Sequence, residues 1–237
     1  MLGTRVVIKR GGKDEAEKPF WISFSDLMTA LMVLFLVVMG VALLAVTKTV
    51  SDSQRLQDQN RRDIELILDR FEGAARKFKD DGVRIDRARR VIDFGDRARF
   101  AFGRSTLAVE QEELLRRFVP EILALAEDEL GKRILKRIVV EGYTDKAGSY
   151  LSNLNLSLQR SQRVLCAMFS VAGQNLLEDR QKESVRGLFL VGGYSFNNAK
   201  GTPEESRRVE MRLEFLGVKE PRPTVPASDG NYGACAL

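Results

Sequence analysis

A run of apolar residues at positions 19–47 limits what this chain can be more than any other feature. The run contains one charged residue, Asp26, and the 20 residues after it include one polar side chain, Thr29. A helix rises about 1.5 Å per residue, so those residues span about 30 Å, the thickness of the hydrocarbon core of a bilayer. Acidic residues precede the run and no small-residue cleavage site follows it, which fits a removable signal peptide poorly. The sequence therefore predicts one transmembrane helix over residues 20–47.

The charged residues that flank this helix give a weak indication of its orientation in the membrane. Residues 1–19 hold five basic and three acidic side chains, and basic residues favour the cytoplasmic side of a membrane. Lys48 and Arg55 follow the helix on its other side, so the bias is small. We predict a cytoplasmic N-terminal tail over residues 1–19.

Asp26 can be interpreted in two ways. An ionised carboxylate inside a membrane-spanning helix costs about 2.5–3.5 kcal/mol even on insertion-based scales. If the helix begins at Leu27, Ser25 or Asp26 caps its N-terminus at headgroup level, where free N–H groups favour a carboxylate. If it begins near Phe20 and Trp21, Asp26 lies about 9 Å inside the helix and faces a partner or a water-filled path. Spacing alone favours neither.

Residues 48–82 are polar at first and then amphipathic, with apolar side chains recurring on one helical face from Ile64 to Phe78. Such a helix could pair with a copy of itself, lie on the membrane surface or pack on the following domain. Its polar face is mixed in charge, which argues against the membrane surface. We predict a linker over residues 48–82 that contains this helix and ends at Gly82.

Residues 83–217 have the pattern of one soluble α/β domain, in which strand-like segments alternate with helical ones. We expect a two-layer sandwich with mostly parallel strands and an antiparallel final strand. The tail at 218–237 holds three of the six prolines and is expected to be irregular. Helices are predicted over residues 109–130 and 150–171, and strands over 136–143, 187–193 and 207–215.

Composition excludes several classes of function. The chain has no histidine, which rules out Ser-His-Asp and Cys-His catalysis, and its two cysteines are too few for a zinc cluster. The net charge of +5 is spread over interleaved acidic and basic residues, which argues against nucleic-acid binding. We therefore expect neither an enzyme nor a nucleic-acid partner, and no metal site. Cys166 and Cys235 could form a disulfide in an oxidising compartment, but spacing does not establish the pairing.

Two segments carry a motif at fixed spacing, VVEGYTDKAGSYLSNLNLSLQRSQRVLCAMF at 139–169 and VGGYSFNNAKGTPEESRRVEMRLEF at 191–215. They resemble the signature of the OmpA-like peptidoglycan-binding domain. In that family a strand ends in G-H-T-D, the next helix carries N, L-S and R, and a later segment reads N-R-R-V-E. Tyr143 replaces the usual His, and Ser206 replaces the usual Asn. The matching positions are Gly142, Thr144, Asp145, Asn153, Leu156, Ser157 and Arg160.

This resemblance implies a ligand and a site. Asp145 would bind the ammonium group of the diaminopimelate in the peptidoglycan stem peptide, and Arg160 would bind its carboxylate, a combination suited to a zwitterionic centre. Without the family pattern, the same two residues would be an ordinary ion pair between a strand end and a helix. The expected peptidoglycan-binding residues are Thr144, Asp145, Asn153, Leu156 and Arg160, supported by Arg207 or, in our assignment, Arg208.

The apolar run, which includes WISFSDLMTALMVLFLVVM, resembles the transmembrane helix of MotB-like stator subunits at Phe24, Ser25, Asp26, Met28, Thr29, Ala30, Met32 and Phe35. The combination with an OmpA-like domain is characteristic of stators. The family implies a homodimer inside a ring of MotA-like subunits in the bacterial inner membrane, with the wall-binding domain in the periplasm. Asp26 would take up and release an ion as the ring turns. We expect the ion to be H⁺, although a carboxylate also suits Na⁺, and we expect no cofactor.

The chain is compact, and the predicted link of residues 48–82 is short for a flagellar stator. With the basic N-terminus, these features most resemble the ZorB family, the MotB-like subunits of the Zorya anti-phage defence system. That resemblance implies a ZorA-like, MotA-like membrane partner. The alternatives are a flagellar stator subunit or a passive tether between membrane and peptidoglycan without ion conduction.

Overall fold

A computed structural model of the chain describes residues 17–226, 230–233 and 235. The described part divides into two compact units, one ending at Leu56 and one beginning at Gln57. Its helices are α1 (Glu17–Arg76), α2 (Val109–Glu127), α3 (Glu129–Ile134), α4 (Tyr150–Phe169), α5 (Asp179–Leu188) and α6 (Pro203–Ser206), with 3₁₀ turns at Lys79–Asp81 and Gly95–Ala98. Its strands are β1 (Arg84–Asp86), β2 (Val91–Asp93), β3 (Leu135–Gly142), β4 (Phe189–Gly193) and β5 (Val209–Phe215).

The apolar run lies in the first part of α1, where every residue from Trp21 to Val50 is exposed. This part of the helix is long and apolar enough to cross a membrane. The helix begins at Glu17, nine residues or about 14 Å before Asp26. The alternative in which Ser25 or Asp26 caps the helix is therefore wrong, because its first free N–H groups lie more than two turns earlier.

The last turns of α1 belong to the second compact unit. Ile67, Leu68 and Phe71 have at most 1% of their surface exposed and join the hydrophobic core of that unit. Of the three arrangements open for the amphipathic helix, the structure shows packing on the following domain. The unit accordingly begins at Gln57 instead of residue 83, because the apolar stripe of the helix covers the core.

One five-stranded sheet forms the second unit, in the order β1-β2-β5-β3-β4. The predicted apolar helix followed by an α/β sandwich is confirmed, but the predicted majority of parallel strands is wrong. Within the residues that the structure describes, only β3 and β4 pair in parallel, and a crossover that contains α4 and α5 joins them. The β1–β2 connection is a turn of four residues, too short for a parallel pair, and β5 enters antiparallel between β2 and β3.

The two faces of the sheet have opposite character, because side chains alternate along each strand. Ile138 and Val140 of β3 and Met211 of β5 lie in the core, together with buried residues of α2, α4 and α5. Glu141 and Glu210 are paired in register on the other face and are also buried. The helices therefore cover one face, and charged side chains occupy the other.

The described residues of the tail form no helix or strand. They are nevertheless attached to α4. Cys235 forms a disulfide with Cys166, with 5.8 Å between the Cα atoms, and the Tyr232 ring lies 4.8 Å from that of Phe169. The disulfide that the sequence left open is thus present.

Candidate ligand-binding site

The site lies where the carboxyl ends of β3 and β4 meet the first turns of α4. Close packing of α4 on these strands depends on glycine. A Cβ at Gly142 would lie 1.9 Å from the carbonyl oxygen of Ser157, and one at Gly193 would lie 2.7 Å from the backbone nitrogen of Leu158. The Ser157 hydroxyl accepts the N–H of Ser195 at 3.0 Å, which joins the helix to the loop after β4. These contacts place the inner face of α4 over the strand ends.

The loop between β3 and α4 is held by side chains of the motif. Asp145 Oδ1 accepts the N–H of Ala147 at 3.0 Å, and Asn153 Nδ2 donates to the Ala147 carbonyl at 2.8 Å. Ser149 caps α4, because its side chain accepts the N–H of Ser152. Asn153 therefore fixes the loop that presents Asp145.

A cavity of about 60 Å³ opens between this loop, α4 and the segment after β2, with room for several water-sized groups. Of the six predicted peptidoglycan-binding residues, the structure brings five together here and leaves out Arg208. Arg207 lines the cavity instead. The lining residues are Phe102, Gly103, Thr144, Asp145, Ala147, Asn153, Leu156, Arg160 and Arg207.

Arg208 points to the opposite face because successive side chains alternate as the chain enters β5. Its Nε donates to Glu210 at 2.7 Å, and its guanidinium lies 4.4 Å from the centre of the Tyr143 ring. Tyr143 also faces that side, where its hydroxyl donates to Glu141 at 2.7 Å. The two side chains therefore belong to a charged network away from the cavity, and Tyr143, which stands where the OmpA-like signature has histidine, is not among the lining residues.

Arg160 is completely buried and binds backbone. Its Nη1 donates to the carbonyl of Tyr143 at 2.6 Å, Nε to that of Arg104 at 2.9 Å, and Nη2 to that of Ala101 at 3.4 Å. Burial lowers the pKa of Arg160 to about 10, an effect opposed by the negative charge of Asp145 and reinforced by the positive charge of Arg207. Arg160 is still charged at neutral pH, and it fastens the segment after β2 to the end of β3.

Arg207 pairs directly with Asp145. Its Nη1 donates to Asp145 Oδ2 at 2.9 Å, Nη2 donates to Glu204 at 2.9 Å, and Nε donates to the carbonyl of Phe100 at 3.1 Å. The hydrogen bond to Asp145 raises the pKa of Arg207, partly offset by burial. The cavity thus contains one carboxylate and two guanidinium groups, an arrangement that suits a ligand carrying both charges.

Thr144 lines the cavity with an unpaired hydroxyl. The residue is 1% exposed, and its Oγ1 has no hydrogen-bond partner among the residues that the structure describes. Leaving a buried polar group unpaired costs about 1–3 kcal/mol. A polar ligand atom in the cavity would remove that cost.

Sequence reasoning missed the contribution of the segment after β2. It assigned Phe102 no role, whereas Phe102 is 69% exposed at the cavity edge beside Gly103, which has a φ of +65°. A glycine directly after an apolar run was the available signal for a turn there. The carbonyl groups of this segment that accept hydrogen bonds from Arg160 could not be predicted from the pattern of side chains.

Asp26 lies in the first compact unit and is exposed on the apolar part of α1. One turn further on, the Thr29 hydroxyl donates to the carbonyl of Ser25 at 2.7 Å. The polar group of Thr29 is therefore satisfied within the helix, as a lipid environment requires.

Two solved structures are similar to parts of the chain. A putative MotB-like protein from Desulfovibrio vulgaris has 19% identity and a TM-score of 0.42, over 67% of this chain and 97% of that one. The OmpA-like domain of FopA1 from Francisella tularensis subsp. tularensis SCHU S4 has 20% identity and a TM-score of 0.35, over 54% of this chain and 75% of that one.

Residues 8–59 match the family model described as membrane MotB of the proton-channel complex MotA/MotB. The Zorya protein ZorB from Escherichia coli O139:H28 (strain E24377A / ETEC) is 43% identical over 224 residues, which are 94% of this chain and 91% of that protein. This degree of identity over nearly the whole of both chains shows the family. The chain belongs to the ZorB family of MotB-like membrane proteins of the Zorya system.

Proposed function

We propose that this protein is the stator subunit of an ion-driven motor in Zorya anti-phage defence, which it anchors to peptidoglycan. Its second compact unit binds the wall, and Asp26 carries the transported ion, expected to be H⁺. The observation that carries the proposal is the cavity in which Asp145, Arg160 and the unpaired hydroxyl of Thr144 converge. Family membership supports the assignment to Zorya.

The ligand is the stem peptide of peptidoglycan, at its diaminopimelate residue. Asp145 binds the ammonium group of the free amino-acid centre, and the guanidinium side of the cavity, to which Arg160 contributes, holds the carboxylate. Thr144 donates its hydroxyl, while Asn153 keeps the loop in place and Leu156 provides an apolar wall. Charge-assisted hydrogen bonds of this kind are about twice as strong as neutral ones.

The membrane half carries the ion. Two copies of the chain stand inside a ring of MotA-like subunits, here ZorA-like, and the ring turns as Asp26 takes up and releases the ion. One charge that crosses the membrane gains about 2.3 kcal/mol per 100 mV, which drives each step. The position of Asp26 well inside α1 supports this role, because a carboxylate at a helix end would face the headgroups.

The proposed topology places the N-terminus in the cytoplasm and the second compact unit in the periplasm. The Cys166–Cys235 disulfide supports this orientation, since disulfides persist in the periplasm and are rare in the bacterial cytosol. Peptidoglycan lies in the same compartment as the proposed binding domain.

Sedimentation with isolated peptidoglycan tests the anchoring role. The detergent-solubilised wild-type chain is expected to pellet with the sacculi, and Asp145→Asn is expected to lower the bound fraction at least about tenfold, because the ammonium group loses its counter-charge. Glu110→Gln removes the same charge at an exposed position of α2 and serves as the matched control. Wild-type protein that stays in the supernatant would remove the anchoring role.

A further inference from the structure

A second cavity lies beside the later turns of α4, and we call it the tail cavity. It has a volume of about 730 Å³, within the range of about 300–1,000 Å³ that is usual for ligand pockets. Its walls come from α2, α4, α5 and the described part of the C-terminal tail. No described residue lines both the tail cavity and the cavity that contains Asp145. The two cavities are therefore separate.

Arg163 lines the tail cavity and lacks a partner. Its Nε is buried without a hydrogen bond, and its guanidinium forms no hydrogen bond or ion pair with any residue that the structure describes. A buried N–H that is left unpaired costs free energy, which a ligand acceptor would recover. The charge and the donors of Arg163 are thus available for an anionic group.

The other charged side chains that line the tail cavity, within the described part of the chain, are already paired. Oε2 of Glu112 accepts a hydrogen bond from Nη1 of Arg116 at 3.3 Å, and Nη2 of Arg186 donates to Oε1 of Glu183 at 2.6 Å. The charge that remains is the single positive charge of Arg163. It suits one carboxylate, because a guanidinium and a carboxylate can form two parallel hydrogen bonds.

An aromatic pair lies further along α4 in the same cavity. Phe169 follows Arg163 by six residues, or about 9 Å along the helix axis. Its ring centre lies 4.8 Å from that of Tyr232 in the tail, and both rings are partly exposed where they line the cavity. Aromatic rings favour contact with further rings, stacked with an offset or edge to face. A ligand with a carboxylate at one end and rings at the other could contact both places.

The tail wall of the cavity depends on the disulfide. Cys166 lies one turn after Arg163 and one turn before Phe169, and it bonds to Cys235, three residues after Tyr232. The Tyr232 hydroxyl also donates to Glu183 of α5 at 3.1 Å. These two bonds hold the Tyr232 ring against α4, so the aromatic part of the cavity is formed in advance of binding.

We propose that the tail cavity binds a small aromatic carboxylate, whose carboxylate pairs with Arg163 and whose rings pack on Phe169 and Tyr232. This site is additional to the proposed peptidoglycan site and does not rest on it. Because the ligand contacts α4 and the tail together, its binding strengthens the attachment of the tail to the domain.

Calorimetric titration of the detergent-solubilised full chain with β-naphthoate tests the proposal. The matched probe is β-naphthamide, which has nearly the same shape and no charge, and titrations of protein-free micelles are subtracted. The wild type is expected to bind the acid at least about tenfold more tightly than the amide, because only the acid forms charge-assisted hydrogen bonds. In Arg163→Gln this preference is expected to fall to about threefold or less.

Three further variants separate the contacts. Arg180→Gln removes a positive charge from α5 at a side chain that is 87% exposed and outside the cavity, and it is expected to keep the wild-type preference. Arg163→Lys keeps the charge without the planar fork and is expected to give an intermediate preference, which provides a second measurement if the glutamine variant does not fold. Tyr232→Ala is expected to weaken both probes at least about threefold, because the ring contact serves both.

The possible results are distinct. Wild-type titrations that match those of protein-free micelles, or equal binding of acid and amide, overturn the inference. An unchanged preference in both Arg163 variants, or wild-type affinities in Tyr232→Ala, also overturns it. Binding of Arg163→Gln to sacculi is expected to equal that of the wild type, and a loss there would contradict the separation of the two sites. Wild-type protein that binds β-naphthoate but not sacculi would contradict the proposed function and leave this inference intact.

Discussion

Gly142 and Ser157 lie so close that no side chain fits between them. A Cβ at Gly142 would stand 1.9 Å from the carbonyl oxygen of Ser157, well inside van der Waals contact with backbone that cannot rotate away. The carboxyl end of β3 and the face of α4 that lines the cavity are thereby held at a fixed distance. The motif residues on both elements depend on that distance.

Gly142→Ala is expected to separate α4 from β3. Overpacking of this kind typically costs about 1–3 kcal/mol, and we expect the upper end because the clash is with backbone. Calorimetry of the solubilised chain should show a lower melting temperature, and binding to sacculi should weaken. Gly187→Ala in α5 is the matched control, since a Cβ there meets no atom within 4 Å and alanine favours helix. Equal melting temperatures for both variants would contradict the proposed role of the contact.

Acid is expected to weaken the domain through Glu210. Burial alone would raise the pKa of this carboxyl, but hydrogen bonds from Arg89 and Arg208 outweigh it and lower the pKa to about 2. The pKa of a glutamate in the unfolded chain is about 4.3. Because the pKa of Glu210 is lower in the folded protein, its ionised form stabilises the fold at pH values above 4.3, and this stability is lost as the pH falls through the folded-state pKa. The contribution is about 3 kcal/mol as an upper estimate.

The variant Glu210→Gln tests this dependence. At neutral pH it should be less stable than the wild type, because Arg89 and Arg208 lose their counter-charge. The difference in unfolding free energy should shrink between pH 5 and pH 2, because Glu210 of the wild type becomes protonated in this range and its stabilising charge is lost. Glu110→Gln should follow the wild-type curve throughout. A constant difference between Glu210→Gln and the wild type across this range would show that Glu210 does not titrate as described.

Reduction of the disulfide is expected to destabilise the second unit. Cys166 and Cys235 are 69 residues apart, and in the chain-entropy model the closure of such a loop is worth about 4 kcal/mol. A reductant should lower the melting temperature of the wild type. The double substitution Cys166→Ser and Cys235→Ser should start at the lower value and should not respond to reductant. A response by the double variant would point to another cause of the shift.

Asp26→Asn distinguishes a motor from a passive tether. Asparagine preserves the shape of the side chain but cannot take up and release a proton, so protection against phage should be lost while expression, membrane insertion and assembly with the MotA-like partner remain. Asp26→Glu keeps a carboxylate and should retain part of the protection. Full protection by the asparagine variant would support a tether without ion conduction.

The sequence predicted the elements that have long, regular patterns. β3, α4 and β5 were found close to their observed bounds because each carries a clear period of hydrophobicity. The apolar run was found as a helix from its length and composition, but its predicted end at residue 47 is wrong, because the helix continues to Arg76. The helix α5 was missed, since its ten residues are mostly polar and only Val185 and Leu188 provide apolar burial. The strand pairing was also predicted incorrectly. The periodicity of a segment indicates whether it is a helix or a strand, but it does not indicate which strand lies beside it or in which direction.

Five of the six predicted wall-binding residues converge in one cavity because the motif fixes their spacing in the loop after β3 and on α4. The choice between Arg207 and Arg208 required the structure. Arg207 and Arg208 are adjacent immediately before β5, so their side chains face opposite sides of the sheet. Which of the two faces the helices depends on the register of β5 with β3, and the sequence alone does not show that register. The backbone carbonyls that bind Arg160 could not be predicted from the sequence either, because every residue has a carbonyl group.

The charged face of the sheet has a consequence for solubility. Glu141 and Glu210 would repel one another across the strands, and Arg212 and Arg208 neutralise them, with Arg89 and Lys200 at the solvent side. Two such faces could stack only by stripping water from these cations, which costs several kcal/mol per ion. Copies of the domain at high local concentration therefore resist aggregation through their sheets.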